Sequence, residues 1–194
     1  MTIQDLPTPL VILQTCVLRR YHPSDIPLVA SLGNNPAVAR RLRPSFPSPY
    51  ILSDATAWVS RCMATPPDSL SLSLVIADPE TLSFCGTIGL RPLGDDETRT
   101  AEVGYWLGEP FWGRGMVTEA TRGFARWVME QFGEGNLVRL EGHVYSNNEA
   151  SKKVLSRAGF VLEGTRRKAG WRDGEVFDIH TFGLLREDMR GMSE

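Results

Sequence analysis

Hydrophobic and polar positions alternate in several short stretches of the chain, and hydrophobic positions recur every three or four residues in others. Alternation predicts β-strands, and the longer spacing predicts helices. The predicted strands cover residues 15–21, 70–77, 83–91, 99–107 and 137–145, and two more follow Phe160 on either side of a turn at residues 172–174. Five helices are predicted. The first begins at Ser24 or Asp25 and ends at Gly33, and the third is capped by Ser53 or Asp54 and ended by Pro66. The second, fourth and fifth cover residues 35–42, 116–132 and 148–158.

The order of these elements predicts a mixed α/β domain. A strand and three helices come first, followed by three strands, a helix, a strand, a helix and two strands. The alternation of strand and helix around residues 99–145 predicts one or two parallel strand neighbours there. Because no repeat or linker divides the chain, we expect a single domain over residues 1–194, with its core at about residues 15–188.

Composition narrows the class of protein. The 194 residues are 42% hydrophobic, which is enough for one full-sized core, and the net charge of −2 favours neither nucleic acid nor a membrane surface as a partner. No apolar run reaches the roughly 20 residues of a membrane span, and the first ten residues lack the apolar core of a signal peptide. Cys16, Cys62 and Cys85 are isolated, so we expect buried reduced thiols, no metal site and a cytoplasmic location.

The glycine-containing loop at residues 111–120, Phe-Trp-Gly-Arg-Gly-Met-Val-Thr-Glu-Ala, carries the most chemical information. It follows a predicted strand and opens a predicted helix, an arrangement in which backbone N–H groups bind phosphate. Gly113 and Gly115 would let the backbone approach the ligand, and Arg114 would add a charged contact. The spacing matches neither the dinucleotide-binding motif nor the Walker A motif, and an ordinary left-handed turn is the alternative interpretation.

A second group of polar residues, Asn147-Asn148-Glu149-Ala150-Ser151, lies between a predicted strand and a predicted helix. Ligands collect at the carboxyl ends of strands in α/β sheets, so Asn148 and Ser151 are candidate ligand contacts. The structural alternative is that Asn148 is the N-cap of the helix and Ser151 its third residue.

Together, these segments resemble the GNAT family of N-acetyltransferases, and most of all its RimJ/RimL-like branch. The resemblance spans nearly the whole chain. It rests on the run Glu102-Val103-Gly104-Tyr105-Trp106-Leu107, the loop Trp112-Gly113-Arg114-Gly115 with Thr118-Glu119-Ala120, the pair Asn148 and Ser151, the turn Ala158-Gly159-Phe160, the first helices with Pro36 and Trp58, and the tail at residues 178–189. It implies an α+β GNAT fold, in which helices flank a mostly antiparallel mixed sheet that is splayed at the cofactor site.

The resemblance also implies a cosubstrate, acetyl-CoA, and the residues that contact it. The pantetheine arm would pair with the strand backbone at Trp106 and Leu107 and touch Asn148, and the pyrophosphate would lie on the loop. The implied loop contacts are Trp112, Gly113, Arg114, Gly115, Met116, Val117 and Thr118. Pro110 stands where the family usually carries Gln or Arg, which leaves the backbone as the main contact.

The implied reaction is direct transfer of an acetyl group to a primary amine in a ternary complex. Ser151 is the candidate acid that protonates the leaving thiolate, with Tyr145 as the second candidate. Glu102 is the first candidate for the base, acting through water, and a solvated strand-edge carboxylate is its alternative interpretation. The pKa of an α-amine is ~8 and that of lysine ~10.4, so an α-amine needs less help from a base.

The acceptor and the assembly stay open at this point. A protein N-terminus and a small amine are both compatible with the sequence, as are a monomer and a homodimer. The rival functions are an acyl-CoA-binding module without turnover and a nucleotide-binding domain. Where the ribosomal-protein enzymes of the family carry an acidic residue near the acceptor, this chain reads Lys168-Ala169-Gly170-Trp171, so an identical acceptor is not expected.

Other chemically active side chains are expected to be structural. His143, His180 and Asp178 lie on predicted strands, where packing is a commoner role than catalysis; the alternative for Asp178 is that it faces the acceptor. The cluster Arg40-Arg41-Leu42-Arg43 is typical of a solvated helix face. Trp58, Trp112 and Trp171 would line the pocket or, as is more usual for aromatic residues, pack in the core.

Overall fold

The computed structural model describes residues 6–191, which form one eight-stranded sheet with helices on both faces. The strands are β1 (Val11–Ile12), β2 (Val17–Arg19), β3 (Ser73–Ala77), β4 (Phe84–Pro92), β5 (Thr100–Leu107), β6 (Arg139–Tyr145), β7 (Val161–Arg172) and β8 (Glu175–Leu185). The α-helices are α1 (Ile26–Gly33), α2 (Pro36–Ala39), α3 (Leu52–Ala64), α4 (Met116–Asn136) and α5 (Glu149–Arg157). Single 3₁₀ turns lie at Pro23–Asp25, Asp95–Glu97, Glu109–Phe111 and Asp188–Gly191.

The sheet has the order β1-β2-β3-β4-β5-β6-β8-β7. Every neighbouring pair is antiparallel except β5 and β6, which are parallel. The α+β fold with a mostly antiparallel mixed sheet is therefore confirmed, and the predicted parallel pair lies beside the glycine loop.

The element boundaries differ from the sequence pattern in several places; helix α3, for example, begins at Leu52, ahead of the predicted cap at Ser53 or Asp54. The two-residue strand β1 is too short to show any periodicity. Helix α2 ends at Ala39 rather than near residue 42, because the next N–H groups close tighter turns, with Arg41 bonded to Val38. Helix α4 extends to Asn136 only across a kink at Gly133, which has φ 64° and ψ 170°, so the regular part ends where the sequence predicts.

The two faces of the sheet carry different helices, because successive strand residues point to opposite sides. On one side, Val75 of β3 packs with Val29 of α1 and Val59 of α3. On the other side, Ile76 packs in the cluster that contains Phe124 of α4. We call these sides the α3 face and the α4 face; α5 also lies on the α4 face, through Leu155.

The centre of the sheet is splayed between the parallel strands. Strand β5 pairs with β6 only over Thr100–Glu102, where Glu102 lies opposite Glu141. Beyond that point β5 continues against β4 as far as Leu107, and β6 continues against β8 as far as Tyr145. The two strands therefore diverge and leave a slot through the sheet, with one edge of β5 unpaired along it.

None of the helices in residues 6–191 is both long and apolar enough to cross a bilayer.

Candidate active site

A cavity of about 1050 Å³ opens at the slot and reaches both faces of the sheet. From the α4 face it is lined by Tyr105 and Ser151, and from the α3 face by Glu102 and His143. Segments far apart in the sequence close its sides: the loop after α2, the helix α3 and the hairpin of β7 and β8.

The glycine loop borders this cavity on both sides of its two glycines, because Trp112 and Val117 are lining residues. Gly113 and Gly115 both have φ 77°, a left-handed conformation that disfavours any residue with a Cβ, and a Cβ at either position would meet no atom within 4 Å. Helix α4 starts directly after Gly115 with no side chain capping its N-terminus. Its first N–H groups thus keep the free donor capacity on which an anion-binding site depends.

The predicted cofactor residues on β5 offer their backbone rather than their side chains. The Trp106 ring packs on the α3 face, 5.6 Å from the ring of Phe84 and 6.0 Å from that of Phe46 (between centroids). The side chain of Leu107 is buried, and its carbonyl oxygen accepts a 2.7 Å hydrogen bond from Trp112 Nε1. This bond fixes the start of the glycine loop to the end of the splayed strand.

Asn148 and Ser151 lie at the N-terminus of α5 on the α4 face. The Asn148 Oδ1 accepts a 3.2 Å hydrogen bond from the Ser151 N–H, so the predicted N-cap is confirmed, and Ser151 is the third residue of the helix. The Ser151 hydroxyl lies 2.9 Å from the hydroxyl of Tyr105. Burial raises the pKa of Tyr105, and the hydrogen bond to Ser151 lowers it by less, so this phenol stays protonated at neutral pH.

Tyr145, the second candidate acid, is on the other side of the slot. It alternates along β6 with Val144, which packs in the core of the α4 face, so the Tyr145 ring is directed to the α3 face. There the ring lies 4.6 Å from that of Phe177, between centroids. The structure therefore brings Ser151 and Tyr105 into contact, whereas Tyr145 lines the same cavity from the opposite face of the sheet.

Glu102 is the last residue of β5 that pairs with β6. It is only 6% exposed, so its interpretation as a solvated carboxylate is wrong. Its two oxygens form ion pairs with Arg43 and Arg91, and its Oε2 lies 3.6 Å from His143 Nδ1. Burial alone would raise the pKa of Glu102, but His143, Arg43 and Arg91 together outweigh it and lower the pKa to about 2. The Glu102 carboxylate is thus ionised, and both of its oxygens are engaged in ion pairs.

His143 lies between two carboxylates and lines the cavity, which the sequence did not predict. Its Nδ1 faces Glu102, and its Nε2 lies 3.3 Å from Glu141 Oε2. Glu141 is held in turn by Arg139, whose Nε donates a 2.9 Å hydrogen bond. The only sequence signal is the pattern Glu141-x-His143-x-Tyr145, which puts these side chains on one face of β6, and only the strand register brings them beside Glu102.

The basic cluster at residues 40–43 is not a solvated helix face, because α2 ends before it. The guanidinium carbon of Arg41 lies 4.9 Å from the ring centroid of Trp112, and Arg43 pairs with Glu102. Both arginines line the cavity. Of the two roles expected for Trp58, Trp112 and Trp171, the structure shows the first: all three line the cavity.

His180 and Asp178 have the structural roles expected of them. The His180 Nδ1 is 2.9 Å from the Thr165 hydroxyl, across the hairpin. The Asp178 carboxylate accepts a 2.7 Å hydrogen bond from the N–H of Lys168, which has a positive φ of 52° in a bulge of β7.

The sequence is similar to those of known acetyltransferases. The model of the GNAT acetyltransferase domain matches residues 16–161. YdaF of Bacillus subtilis, provisionally named as a ribosomal N-acetyltransferase, is 36% identical over 109 residues, which are 56% of this chain and 57% of YdaF. The ribosomal-protein-serine acetyltransferase of Escherichia coli is 30% identical over 112 residues, 58% of this chain and 59% of that protein. The chain thus spans less than two thirds of the length of these relatives.

Among solved structures, RimL, a ribosomal L7/L12 alpha-N-protein acetyltransferase in complex with coenzyme A, superposes with a TM-score of 0.77. The match covers 92% of this chain and 98% of RimL, and at 19% identity it shows a common fold. The family model matches well over half of the chain, and this match shows that the protein belongs to the GNAT acetyltransferase family.

Proposed function

We propose that this protein transfers an acetyl group from acetyl-CoA to the α-amine of a protein N-terminus. The observation that carries the proposal is the slot between β5 and β6, which joins the glycine loop and Ser151 on one face to a charged cavity on the other. A cosubstrate entering from the α4 face and an amine entering from the α3 face would meet there. The coenzyme A bound in RimL and the name of the E. coli relative, a ribosomal-protein-serine acetyltransferase, support the same assignment.

The residues around the slot fit acetyl-CoA, which supplies a thioester when bound. The uncapped N-terminus of α4, with left-handed Gly113 and Gly115 before it, would hold the pyrophosphate through backbone N–H groups. The unpaired edge of β5 at Trp106 and Leu107 would hold the pantetheine amides, as a neighbouring strand would.

The transfer forms a bond between the amine nitrogen and the acetyl carbon and breaks the bond from that carbon to sulfur. The amine must be neutral to attack, so an α-ammonium first gives up one proton. As the amide forms, the nitrogen loses a second proton, and the sulfur gains one and leaves as the thiol. The enzyme therefore needs a proton acceptor and a proton donor. We assign the donor to Ser151, whose hydroxyl is on the α4 face and is itself hydrogen-bonded to the protonated Tyr105.

The choice of proton acceptor follows from the electrostatics of the α3 face. The pKa of Glu102 is about 2, and that of an α-ammonium is ~8, so direct transfer to Glu102 would be uphill by roughly 8 kcal/mol at 1.36 kcal/mol per unit. Histidine is the side chain best suited to exchange a proton near neutral pH. We therefore assign proton acceptance to His143, directly or through water, and assign Glu102 to holding the imidazole in place.

Direct transfer, without an acyl-enzyme, is supported by the position of the thiols. Cys16, Cys62 and Cys85 are all buried, and no cysteine of residues 6–191 lines the cavity. Burial raises the pKa of Cys16 and of Cys62 to about 12 and that of Cys85 to about 11, so none is a ready nucleophile.

The test combines the full chain with acetyl-CoA and peptides that begin with Ser or Ala, and measures thiol release and the mass of the peptide. We expect transfer to the free peptides and none to the same peptides with a blocked N-terminus. If acetyl-CoA raises the Tm but no amine or peptide releases thiol, the protein is an acyl-CoA-binding module. If ATP or NAD raises the Tm and CoA does not, it is a nucleotide-binding domain.

A further inference from the structure

The cavity has the opposite charge to the chain as a whole. The chain carries a net charge of −2, whereas the charged residues that line the cavity are five arginines and two carboxylates, Arg41, Arg43, Arg61, Arg91, Arg166, Asp54 and Glu102. Arg41 stacks on Trp112 beside the glycine loop, so we count it with the cosubstrate site. The remaining four arginines still outnumber the two carboxylates.

Both carboxylates already accept hydrogen bonds from other groups of the protein. Asp54 accepts a 2.9 Å hydrogen bond from the Ile51 N–H at the start of α3. Glu102 is shared between Arg43 and Arg91, so this group of three keeps one surplus positive charge. Glu102 is thus neutralised by arginine, and among the described lining residues only Asp54 keeps a negative charge that no arginine pairs.

Two of these four arginines have no carboxylate partner among residues 6–191. Arg61 is stacked on Trp58, with its guanidinium carbon 4.7 Å from the ring centroid, and this contact leaves the N–H edge of the guanidinium open. Arg166, on β7, is exposed, and its side chain makes neither an ion pair nor a hydrogen bond within the part of the chain that the structure describes. These two side chains lie on elements that close different sides of the cavity.

We propose that the acceptor carries an anionic group close to its primary amine, and that Arg61 and Arg166 bind this group. The inference rests on the proposed acetyl transfer and names its substrate class: peptides with acidic residues directly after the N-terminus, or small amines that bear a carboxylate or phosphate. A guanidinium binds both anions through paired, charge-assisted hydrogen bonds. A polyamine would instead meet like charge.

The experiment compares peptides that share an N-terminal Ser and differ at the next two positions, which are Asp-Glu, Asn-Gln or Lys-Lys. With acetyl-CoA and the full chain, we expect kcat/KM to be at least about tenfold higher for the acidic than for the basic peptide, with the neutral one between them. The difference should shrink as ionic strength rises. Glutamate, O-phosphoethanolamine and spermidine form a second arm that separates small-molecule from peptide acceptors.

Arg61→Gln and Arg166→Gln should each reduce the preference for acidic peptides or anionic amines. Arg167→Gln is the matched control, because Arg167 is adjacent on β7, exposed and not part of the cavity lining. Equal rates for the three peptides, a preference for Lys-Lys or spermidine, or a preference that survives both substitutions would overturn the inference while leaving acetyl transfer intact.

A binding measurement keeps the inference testable if turnover is absent. Trp58 and Trp171 line the cavity, so peptide binding to the protein with CoA should change tryptophan fluorescence. Tighter binding of the acidic peptide, lost in Arg166→Gln, would support the anionic site even if acetyl transfer failed. Binding without charge preference would reject it.

Discussion

The hydroxyl groups of Tyr105 and Ser151 lie 2.9 Å apart across the slot of the sheet. Tyr105 comes from the splayed strand β5 and Ser151 from the first turn of α5, so the contact joins the two elements that enclose the proposed cosubstrate. The Ser151 backbone is fixed independently by Asn148. The pair therefore presents a serine hydroxyl of defined position, supported by a buried phenol that stays protonated.

Ser151→Ala should lower kcat by about 10²-fold, the lower end of what a general acid contributes, and leave the affinity for CoA little changed. The reason is that the backbone contacts proposed for CoA do not involve the serine hydroxyl. Steady-state kinetics together with CoA titration would measure the two effects separately.

Tyr105→Phe is the matched variant for this prediction. It keeps Ser151 and its Asn148 bond but removes the phenol, so the loss in kcat should be smaller than in Ser151→Ala. An unaltered kcat in Ser151→Ala would mean that solvent protonates the thiolate and would remove Ser151 from the mechanism.

His143→Gln should lower kcat/KM at neutral pH by about 10²-fold, as expected for a lost general base. The deficit should shrink as the pH rises through the pKa of the α-amine, ~8, because the amine then loses its proton to solvent without help. A pH–rate profile from pH 6 to about 9.5 with one peptide measures both effects.

His180→Gln provides the control for this experiment. That histidine bonds Thr165 and does not line the cavity, so its loss should leave the profile unchanged. If His143→Gln lowered the rate by the same factor at every pH, the imidazole would be a positioning group and not the proton acceptor.

Gly115→Ala should raise the KM for acetyl-CoA by about tenfold or more, since a left-handed residue with a Cβ costs roughly 1–2 kcal/mol and the new methyl group would stand where the ligand approaches. The protein should still fold, because the added Cβ meets no protein atom within 4 Å. Gly174→Ala is the matched control: it has φ 87°, equally open surroundings and a position in the β7–β8 turn. A similar KM in both variants would argue against a phosphate contact at the loop.

The sequence predicted those parts of the molecule that depend on local chemistry. The glycine loop, the helix after it, the Asn148 cap and the Arg172-Asp173-Gly174 turn are encoded in consecutive residues, and each is present. The contacts proposed for acetyl-CoA in this loop remain a prediction. They use backbone groups, which a motif can indicate without knowledge of the rest of the fold.

The parts that depend on strand register were not predictable. Glu102 is separated from Arg43 by 59 residues, and only the packing of the loop after α2 against the sheet makes them an ion pair. His143 likewise acquires Glu102 as a neighbour from the parallel pairing that puts Glu102 opposite Glu141. A single sequence contains the residue types of this cluster but not their juxtaposition, so the strand histidine was assigned to packing.

Glu102 should also stabilise the folded protein near neutral pH, and its lowered pKa means that this stabilisation is lost in acid. The value falls from 4.5 to about 2 on folding, so the contribution is fully present above about pH 4.5 and is lost as the pH falls towards 2. Glu102→Gln should be less stable than the wild type at neutral pH, since Arg43 and Arg91 lose their shared carboxylate, and this difference should narrow between pH 4.5 and 2. Urea unfolding of both proteins across this range measures it; a constant difference would show that Glu102 titrates alike in the folded and unfolded chains.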